Sequence, residues 1–202
     1  MTTTFLLIRH GLTDAVGSVL TGTAPGVHLN AAGRAQVERL TDQLQNVQLA
    51  AVISSPLERA LETAAPIAAT HGLDVQRLAM LAEFDVGAWT GATLRDLDTT
   101  DGWRRFNRLR SITRASDGEL MLDVQRRAVG ALLELHAQYR SGIVAAVSHG
   151  DVIRAALLFF LGMPIDFVHR LEVSPGRVSV VDLGDGEPAV RQVNGGTVSD
   201  IL

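Results

Sequence analysis

The sequence predicts an α/β fold, a three-layer α/β/α sandwich with a mostly parallel central sheet. Apolar runs at residues 5–8, 50–53 and 143–147 indicate buried strands, and each is followed by small or polar turn residues and then by a helical pattern. The 202 residues, 47% of them apolar, contain no linker rich in proline, glycine and serine. We therefore expect one domain over residues 1–202 with a single substantial core.

Helices are predicted wherever apolar side chains recur at a spacing of three or four residues. The segments with this spacing are residues 31–45, 57–70, 121–139 and 151–161. The first has Val37, Leu40 and Leu44 on one face and follows Asn30, a residue type that caps helix N-termini. The last is short and very apolar, so we expect it to be largely buried.

Two parts of the chain depart from this alternation. Residues 85–117 contain Trp89, Trp103 and an arginine-rich run, and we interpret them as a mostly helical lid inserted over the sheet. Strand-like segments separated by turn residues then predict one edge of the sheet at residues 168–173, 178–183 and 189–193. Strands at that edge could pair across a two-fold axis, which makes a homodimer a candidate assembly.

Composition narrows the functional classes. The net charge is −4 without a basic block, so we expect no nucleic-acid partner. The longest apolar stretch, residues 155–163, is too short to cross a membrane, and no basic cluster precedes residues 5–8, so we expect a cytoplasmic protein without a membrane partner.

Cysteine is absent, which removes disulfides and thiolate sites from consideration. All 18 basic residues are arginine, and guanidinium groups suit phosphate or carboxylate recognition.

Polar residues recur at the ends of the strand-like runs. Arg9 and His10 follow the first run, Arg59 lies in the first turn after the second, and His149 follows the third. Glu83, in residues 81–89 between two predicted helices, is the fourth of these polar sites. In an open α/β sheet ligands bind at the carboxyl ends of the strands, so we expect these side chains to meet there.

Two of these residues also have ordinary structural interpretations. Arg59 could be an exposed helix arginine paired with Glu62, which lies three residues further along the same predicted helix. Glu83 taken alone could be a surface carboxylate. The surrounding motifs are needed to decide between these interpretations.

Five short motifs follow one another in a fixed order along nearly the whole chain. They are Arg9-His10-Gly11 with Thr13, Leu29-Asn30 with Gly33, Ser54-Ser55 through Arg59 to Thr63-Ala64, Glu83 with Gly87 and Trp89, and Ser148-His149-Gly150. Together they resemble the histidine phosphatase superfamily, the phosphoglycerate mutase-like branch 1. The resemblance implies a metal-independent phosphomonoesterase without a cofactor that acts on a small phosphorylated metabolite.

The resemblance also implies roles for individual residues. His10 would be the nucleophile that forms a phosphohistidine, and Arg9, Arg59 and His149 would surround the phosphoryl oxygens. Glu83 would be the general acid and then the general base. Asp85, two residues further on, is the fallback acid. The implied substrate-binding set also contains Gly11, Thr13, Thr21, Gly22 and Gly150.

Mutases of this family hold a second phosphate with extra basic residues that include a lysine. This chain has no lysine, and it has Val16 and Asp151 where those mutases carry asparagine. An acidic residue there should repel a second phosphate, so we favour a phosphatase over a mutase. A phosphoglycerate-type phosphomutase and a catalytically silent protein that binds a phosphorylated ligand are the alternatives. The predicted lid could still supply a second anion site, or merely a solvated cationic face, through Arg104, Arg105, Arg108, Arg110 and Arg114.

Overall fold

The computed structural model describes residues 1–196 and has a six-stranded sheet at its centre. The strands are β1 Thr3–Arg9, β2 Leu49–Ser54, β3 Val75–Arg77, β4 Ile143–Ser148, β5 Val178–Leu183 and β6 Ala189–Gly195. Their order in the sheet is β3-β2-β4-β1-β5-β6. The first four strands in this order run parallel, whereas β5 pairs antiparallel with both β1 and β6. The predicted mostly parallel sheet is confirmed.

Helices cover both faces of the sheet. They are α1 Ala31–Leu44, α2 Glu58–Thr70, α3 Leu94–Leu97, α4 Asp101–Arg108, α5 Met121–Gln138 and α6 Gly150–Phe160. Leu6 and Ile8 of β1 pack in the core with α1 and α2, and the alternate residues Phe5 and Leu7 pack in the core with α5 and α6. The three-layer arrangement is therefore confirmed. No helix within residues 1–196 is long and apolar enough to cross a membrane.

One predicted strand is wrong and one observed strand was not predicted. Residues 168–173 were expected to be extended, but a 3₁₀ helix spans Ile165–Arg170, and its Ile165 and Val168 are both buried in the core with α6. Their three-residue spacing matches a 3₁₀ turn rather than a strand. The additional strand, β3, has only three residues and pairs with β2 at the edge of the sheet.

The segment 85–117 packs on the core with a cluster of aromatic rings. Trp89 lies edge-on to Trp103 with ring centroids 5.4 Å apart, and Phe106 stacks on Phe84 at 5.9 Å. The indole nitrogen of Trp103 donates a 2.9 Å hydrogen bond to Asp98, so its polar atom is satisfied. Helix α4 is therefore held over the sheet by buried aromatic contacts.

We predict that Phe106→Ala destabilises the protein by about 3–5 kcal/mol, because it removes a fully buried ring and leaves a cavity in this cluster. Urea denaturation measures the change in the free energy of unfolding. Ile112→Ala in the same segment is the matched control, since Ile112 is 71% exposed and its truncation should change stability by less than about 0.5 kcal/mol. Equal stabilities of the two variants would contradict this account of the packing.

Candidate active site

The pairing of β1 with β4 brings the two motif histidines together. Arg9 lies opposite Ser148 at the ends of these strands, so the next residues, His10 and His149, are neighbours with ring centroids 5.2 Å apart. A cavity of about 160 Å³ opens beside His10 at this edge of the sheet. Arg9, Arg59 and Glu83 line it together with His10, whereas His149 is fully buried next to His10.

His10 is held as a neutral imidazole. Its Nδ1 lies 2.8 Å from the carbonyl oxygen of Gly11, which can only accept, so Nδ1 carries the proton and the lone pair is on Nε2. Burial lowers the pKa of His10 to about 3, and the positive charges of Arg59 and Arg9 act in the same direction. At neutral pH the ring is therefore a neutral nucleophile with a free lone pair on Nε2.

The imidazole of His149 can donate a hydrogen bond from its Nδ1. Its Nε2 lies 2.7 Å from Ser55 Oγ, which already accepts the amide proton of Leu57. Ser55 Oγ donates to no other group in the described residues, so we assign its hydroxyl proton to Nε2 of His149 and the imidazole proton to Nδ1. Burial, followed by the nearby His10, lowers the pKa of His149 well below its ordinary value.

Arg9 and Arg59 are each anchored by one backbone carbonyl. Arg9 Nη1 donates to Val173 at 2.7 Å, and Arg59 Nη2 donates to Gly22 at 2.8 Å. Arg59 is only 2% exposed, so the interpretation of it as an exposed partner of Glu62 is wrong. Burial lowers the pKa of both guanidinium groups, which shows that their charge is poorly solvated.

Three buried donors at this site lack a protein partner. Arg9 Nε, Arg59 Nη1 and His149 Nδ1 make no hydrogen bond within the part of the chain that the structure describes. Buried unpaired donors are rare because each costs free energy, and the cost is greater for charged groups. Their convergence around His10 is suited to a small anion with several acceptor oxygens.

Glu83 is the acidic group of the cavity that favours its protonated form. Burial raises its pKa to about 7, and the negative charge of Asp151 adds to this effect, whereas Arg59 and Arg9 oppose it. A carboxyl with this pKa can exist in both protonation states near neutral pH, as acid–base catalysis requires. Asp85 is exposed, does not line the cavity and accepts from the amide of Gly87, so the geometry does not support it as the fallback acid.

Arg127 holds the backbone that carries Glu83, a role that the sequence did not reveal. Its guanidinium donates to the carbonyl oxygens of Met80, Ala82 and Glu83 at 2.7–3.2 Å. It also forms an ion pair with Glu119 at 3.0 Å. Nothing in the spacing of Glu119 and Arg127 along the sequence distinguishes this pair from other surface charges.

Asp151 is neutralised by two arginines. Arg110 and Arg154 each approach its carboxylate at 3.0 Å, and although burial opposes ionisation, the two guanidinium groups lower the pKa of Asp151. Asp151 therefore does not present an uncompensated negative charge, and the argument that it repels a second phosphate loses its basis. The pairing with Arg154 follows the three-residue helical spacing and could have been found, whereas Arg110 lies 41 residues away.

The smaller residues of the predicted binding set divide into two groups. Those that line the cavity are Thr13, Thr21, Gly22 and Gly150. Gly11 does not line it, and its amide donates to Thr63 Oγ1 at 3.0 Å. A Cβ on Gly11 would lie 2.8 Å from the carbonyl oxygen of Gly33, so the glycine permits close packing against α1.

The arginines of α4 do not reach the cavity. Arg104, Arg105 and Arg108 are exposed and are not among the lining residues. Arg104 instead pairs with Asp101 at 2.7 Å on the outer surface. Of the five arginines predicted for the lid, Arg110 is the buried one: it is 3% exposed and pairs with Asp151, whereas Arg114 is exposed like those of α4.

The chain is similar to known proteins over nearly its whole length. The chain is 30% identical over 182 residues to a 2,3-bisphosphoglycerate-dependent phosphoglycerate mutase from Thermoplasma acidophilum, covering 90% of this chain and 88% of that protein. It is 28% identical over 191 residues to the adenosylcobalamin/alpha-ribazole phosphatase of Escherichia coli K12, covering 93% and 94%. The crystal structure of a phosphoserine phosphatase mutant from Entamoeba histolytica with phosphoserine superposes with a TM-score of 0.86 at 25% identity, covering 96% and 98%.

The family model described as the histidine phosphatase superfamily (branch 1) matches residues 5–195, which include every residue of the site described above. The relatives of this chain thus include both phosphatases and a mutase. The fold, the motif order and this match lead to the same assignment. The chain belongs to branch 1 of the histidine phosphatase superfamily.

Proposed function

We propose that this protein is a metal-independent phosphomonoesterase that hydrolyses a small phosphorylated metabolite through a phosphohistidine at His10. The observation that supports this most strongly is the set of three buried, unpartnered donors around a neutral imidazole. A phosphoryl group supplies the acceptor oxygens that Arg9, Arg59 and His149 lack. Positioning and electrostatic stabilisation provide most of the acceleration in phosphoryl transfer.

In the first step, Nε2 of His10 attacks the phosphorus atom and the ester P–O bond breaks. Arg9, Arg59 and the Nδ1 proton of His149 stabilise the charge on the non-bridging oxygens. Protonated Glu83 transfers its proton to the departing oxygen, so that the product leaves as a neutral alcohol. The enzyme then holds a phosphohistidine and an ionised Glu83.

In the second step, the carboxylate of Glu83 removes a proton from a water molecule as that water attacks the phosphorus atom. The P–N bond breaks, and its electron pair returns to Nε2 of His10. Inorganic phosphate leaves, His10 is again neutral and Glu83 is again protonated. The pKa of Glu83 near 7 suits both halves of this cycle.

A phosphomutase is the second candidate, because the Thermoplasma relative is named as one. A mutase would require a bisphosphate primer and would interconvert phosphoglycerate isomers faster than it releases phosphate. We favour hydrolysis because the chain has no lysine and its exposed arginines on α4 lie outside the cavity. A cytoplasmic location and a homodimer stay predictions.

We predict that His10→Ala lowers the kcat for p-nitrophenyl phosphate by about 1,000-fold or more, because the attacking group is removed. Release of phosphate without added metal measures the effect. His28→Ala is the matched control, since His28 is exposed and lies outside the cavity. Equal rates for His10→Ala and the unsubstituted protein would rule out the covalent mechanism and favour a silent binding protein.

We predict that kcat/KM for an alkyl phosphate falls as the pH rises through about 7, because Glu83 then loses the proton that the alkoxide needs. Glu83→Gln should lower the rate by about 10²–10⁴-fold and abolish this dependence. With p-nitrophenyl phosphate, whose phenolate leaves without a proton, the variant should form the phosphoenzyme in a burst and then turn over slowly. If kcat/KM of Glu83→Gln still falls as the pH rises through about 7, the fall arises from the titration of another group.

We predict that Arg127→Met lowers kcat for alkyl phosphates by about 10- to 100-fold while KM changes little, because the backbone under Glu83 loses its support. The first phosphoryl transfer from p-nitrophenyl phosphate should be much less affected, as expected for a residue that positions the acid. Arg126→Met is the matched control, since Arg126 is exposed and its ion pair within residues 1–196 is with Asp123 on the same helix. If Arg127→Met lowers the rate of the burst phase and the kcat for both substrates by the same factor, the role of Arg127 is merely structural.

A further inference from the structure

We propose that the alcohol part of the substrate is uncharged and largely apolar. On this proposal, which rests on the proposed phosphatase activity, the enzyme prefers phosphate esters of small neutral alcohols. Esters whose alcohol part bears a carboxylate or a second phosphate are poorer substrates. The inference comes from the division of the cavity lining into a charged part and an uncharged part.

The charged lining residues come from the strand ends, α2, α6 and the segment that carries Glu83. They are Arg9, Arg59, Glu83, Asp151 and Arg154, and the neutral His10 lies among them. The loop after β1 and the start of α3 supply a wall of uncharged side chains: Ala15, Val16, Val19, Leu20 and Leu94. Because the phosphoryl group must contact His10 and the arginines, this apolar wall remains for the alcohol part.

Backbone hydrogen bonds hold the apolar wall together. Leu20 donates to Ala92 at 2.9 Å, Gly91 donates to Leu20 at 2.8 Å, and Leu94 donates to Ser18 at 2.9 Å. These bonds join the loop after β1 to the turn before α3 in a short antiparallel bridge. The wall is thus a paired structure that presents its side chains in a defined arrangement rather than a free loop.

The charged groups near the wall offer nothing to a substrate carboxylate. Asp14 is the only charged residue between positions 13 and 22; it does not line the cavity, and its carboxylate accepts from Asn30. Asp151 is already paired with Arg110 and Arg154, and Glu83, which also faces the cavity, is an acid, so neither adds a positive charge for a substrate carboxylate. An anionic alcohol part would therefore lose hydration without gaining a partner on this wall.

Arg154 is the remaining cation in the lining, and it lies at the phosphoryl end. A Cβ built on Gly150 would be 3.3 Å from Cζ of Arg9 and 3.4 Å from Nη1 of Arg154, so the two guanidinium groups flank the same glycine. Arg154 also donates Nε to the carbonyl of Leu171 and Nη1 to Asp151. Its position and these bonds associate it with the phosphate rather than with the alcohol part.

The size of the cavity restricts the alcohol further. Its volume of about 160 Å³ is below the roughly 300–1,000 Å³ of pockets that enclose drug-sized ligands. A phosphoryl group takes up part of this space. The alcohol part is therefore expected to be short where it is enclosed, with any longer portion extending out of the mouth.

Butyl phosphate and 4-phosphooxybutanoate test the proposal directly. The two esters share a primary alkyl leaving group and differ in whether the chain ends in a methyl group or a carboxylate. We expect kcat/KM to be about 10-fold or more higher for butyl phosphate, in line with the discrimination that a small apolar group provides. Equal values, or a preference for the carboxylate ester, would overturn the proposal.

Charge substitution on the wall provides the second test. Leu94→Arg and Val16→Arg each place a cation where the alcohol part is expected, so each should shift the ratio of kcat/KM values toward 4-phosphooxybutanoate by about 10-fold. Ile112→Arg adds the same charge at an exposed position outside the cavity and should leave the ratio unchanged. Folding of each variant is checked by its thermal unfolding. If both folded wall variants keep the original ratio, the wall does not contact the alcohol part.

The test separates failure of this inference from failure of the proposed function. If p-nitrophenyl phosphate is not hydrolysed in a His10-dependent manner, the phosphatase proposal fails. Binding of the two esters to His10→Ala, measured by titration calorimetry, still tests the wall, and butyl phosphate should bind about 10-fold more tightly. Equal or reversed affinities there would overturn the inference even if hydrolysis is observed.

Discussion

The parallel pairing of β1 with β4 is the constraint on which the site depends. These strands end in register, so the residues that follow them, His10 and His149, come into contact at the carboxyl edge of the sheet. The pairing itself is stabilised by apolar residues that alternate between the two buried faces. The packing of these apolar residues in the core thereby positions His10, the proposed nucleophile, and His149, the proposed donor.

Buried charge at the site is compensated in a way that leaves positive donors unused. Arg110 and Arg154 neutralise Asp151, and Glu83, whose pKa is about 7, is only partly ionised at neutral pH and forms no ion pair with Arg9 or Arg59 in the described residues. Such charges reduce the stability of the folded protein when no ligand is present. The same unpaired positive charges of Arg9 and Arg59 favour the binding of a dianion in the cavity. The site is thus built at some expense of stability for binding a phosphoryl group.

The sequence was sufficient for features that depend on local spacing and motif order. Asn30 caps α1 by accepting from Gly33 as predicted, and alternation of strands and helices identified three of the four parallel strands. Features set by tertiary packing were missed. The edge strand β3 has one apolar residue and forms only against β2, and the clamp of Arg127 on residues 80–83 joins segments distant in sequence. The exposure of Arg104 and the burial of Arg110 likewise depend on how α4 packs.

The most direct test of the account is a crystal structure with vanadate, which mimics a phosphoryl group during transfer. We expect vanadium bonded to Nε2 of His10, with its oxygens within hydrogen-bond distance of Arg9 Nε, Arg59 Nη1 and His149 Nδ1, and one oxygen near Glu83. None of these three atoms has a protein partner among the described residues. Vanadate bound elsewhere, or bound without contact to these three atoms, would contradict the claim that the site is built around a phosphoryl group.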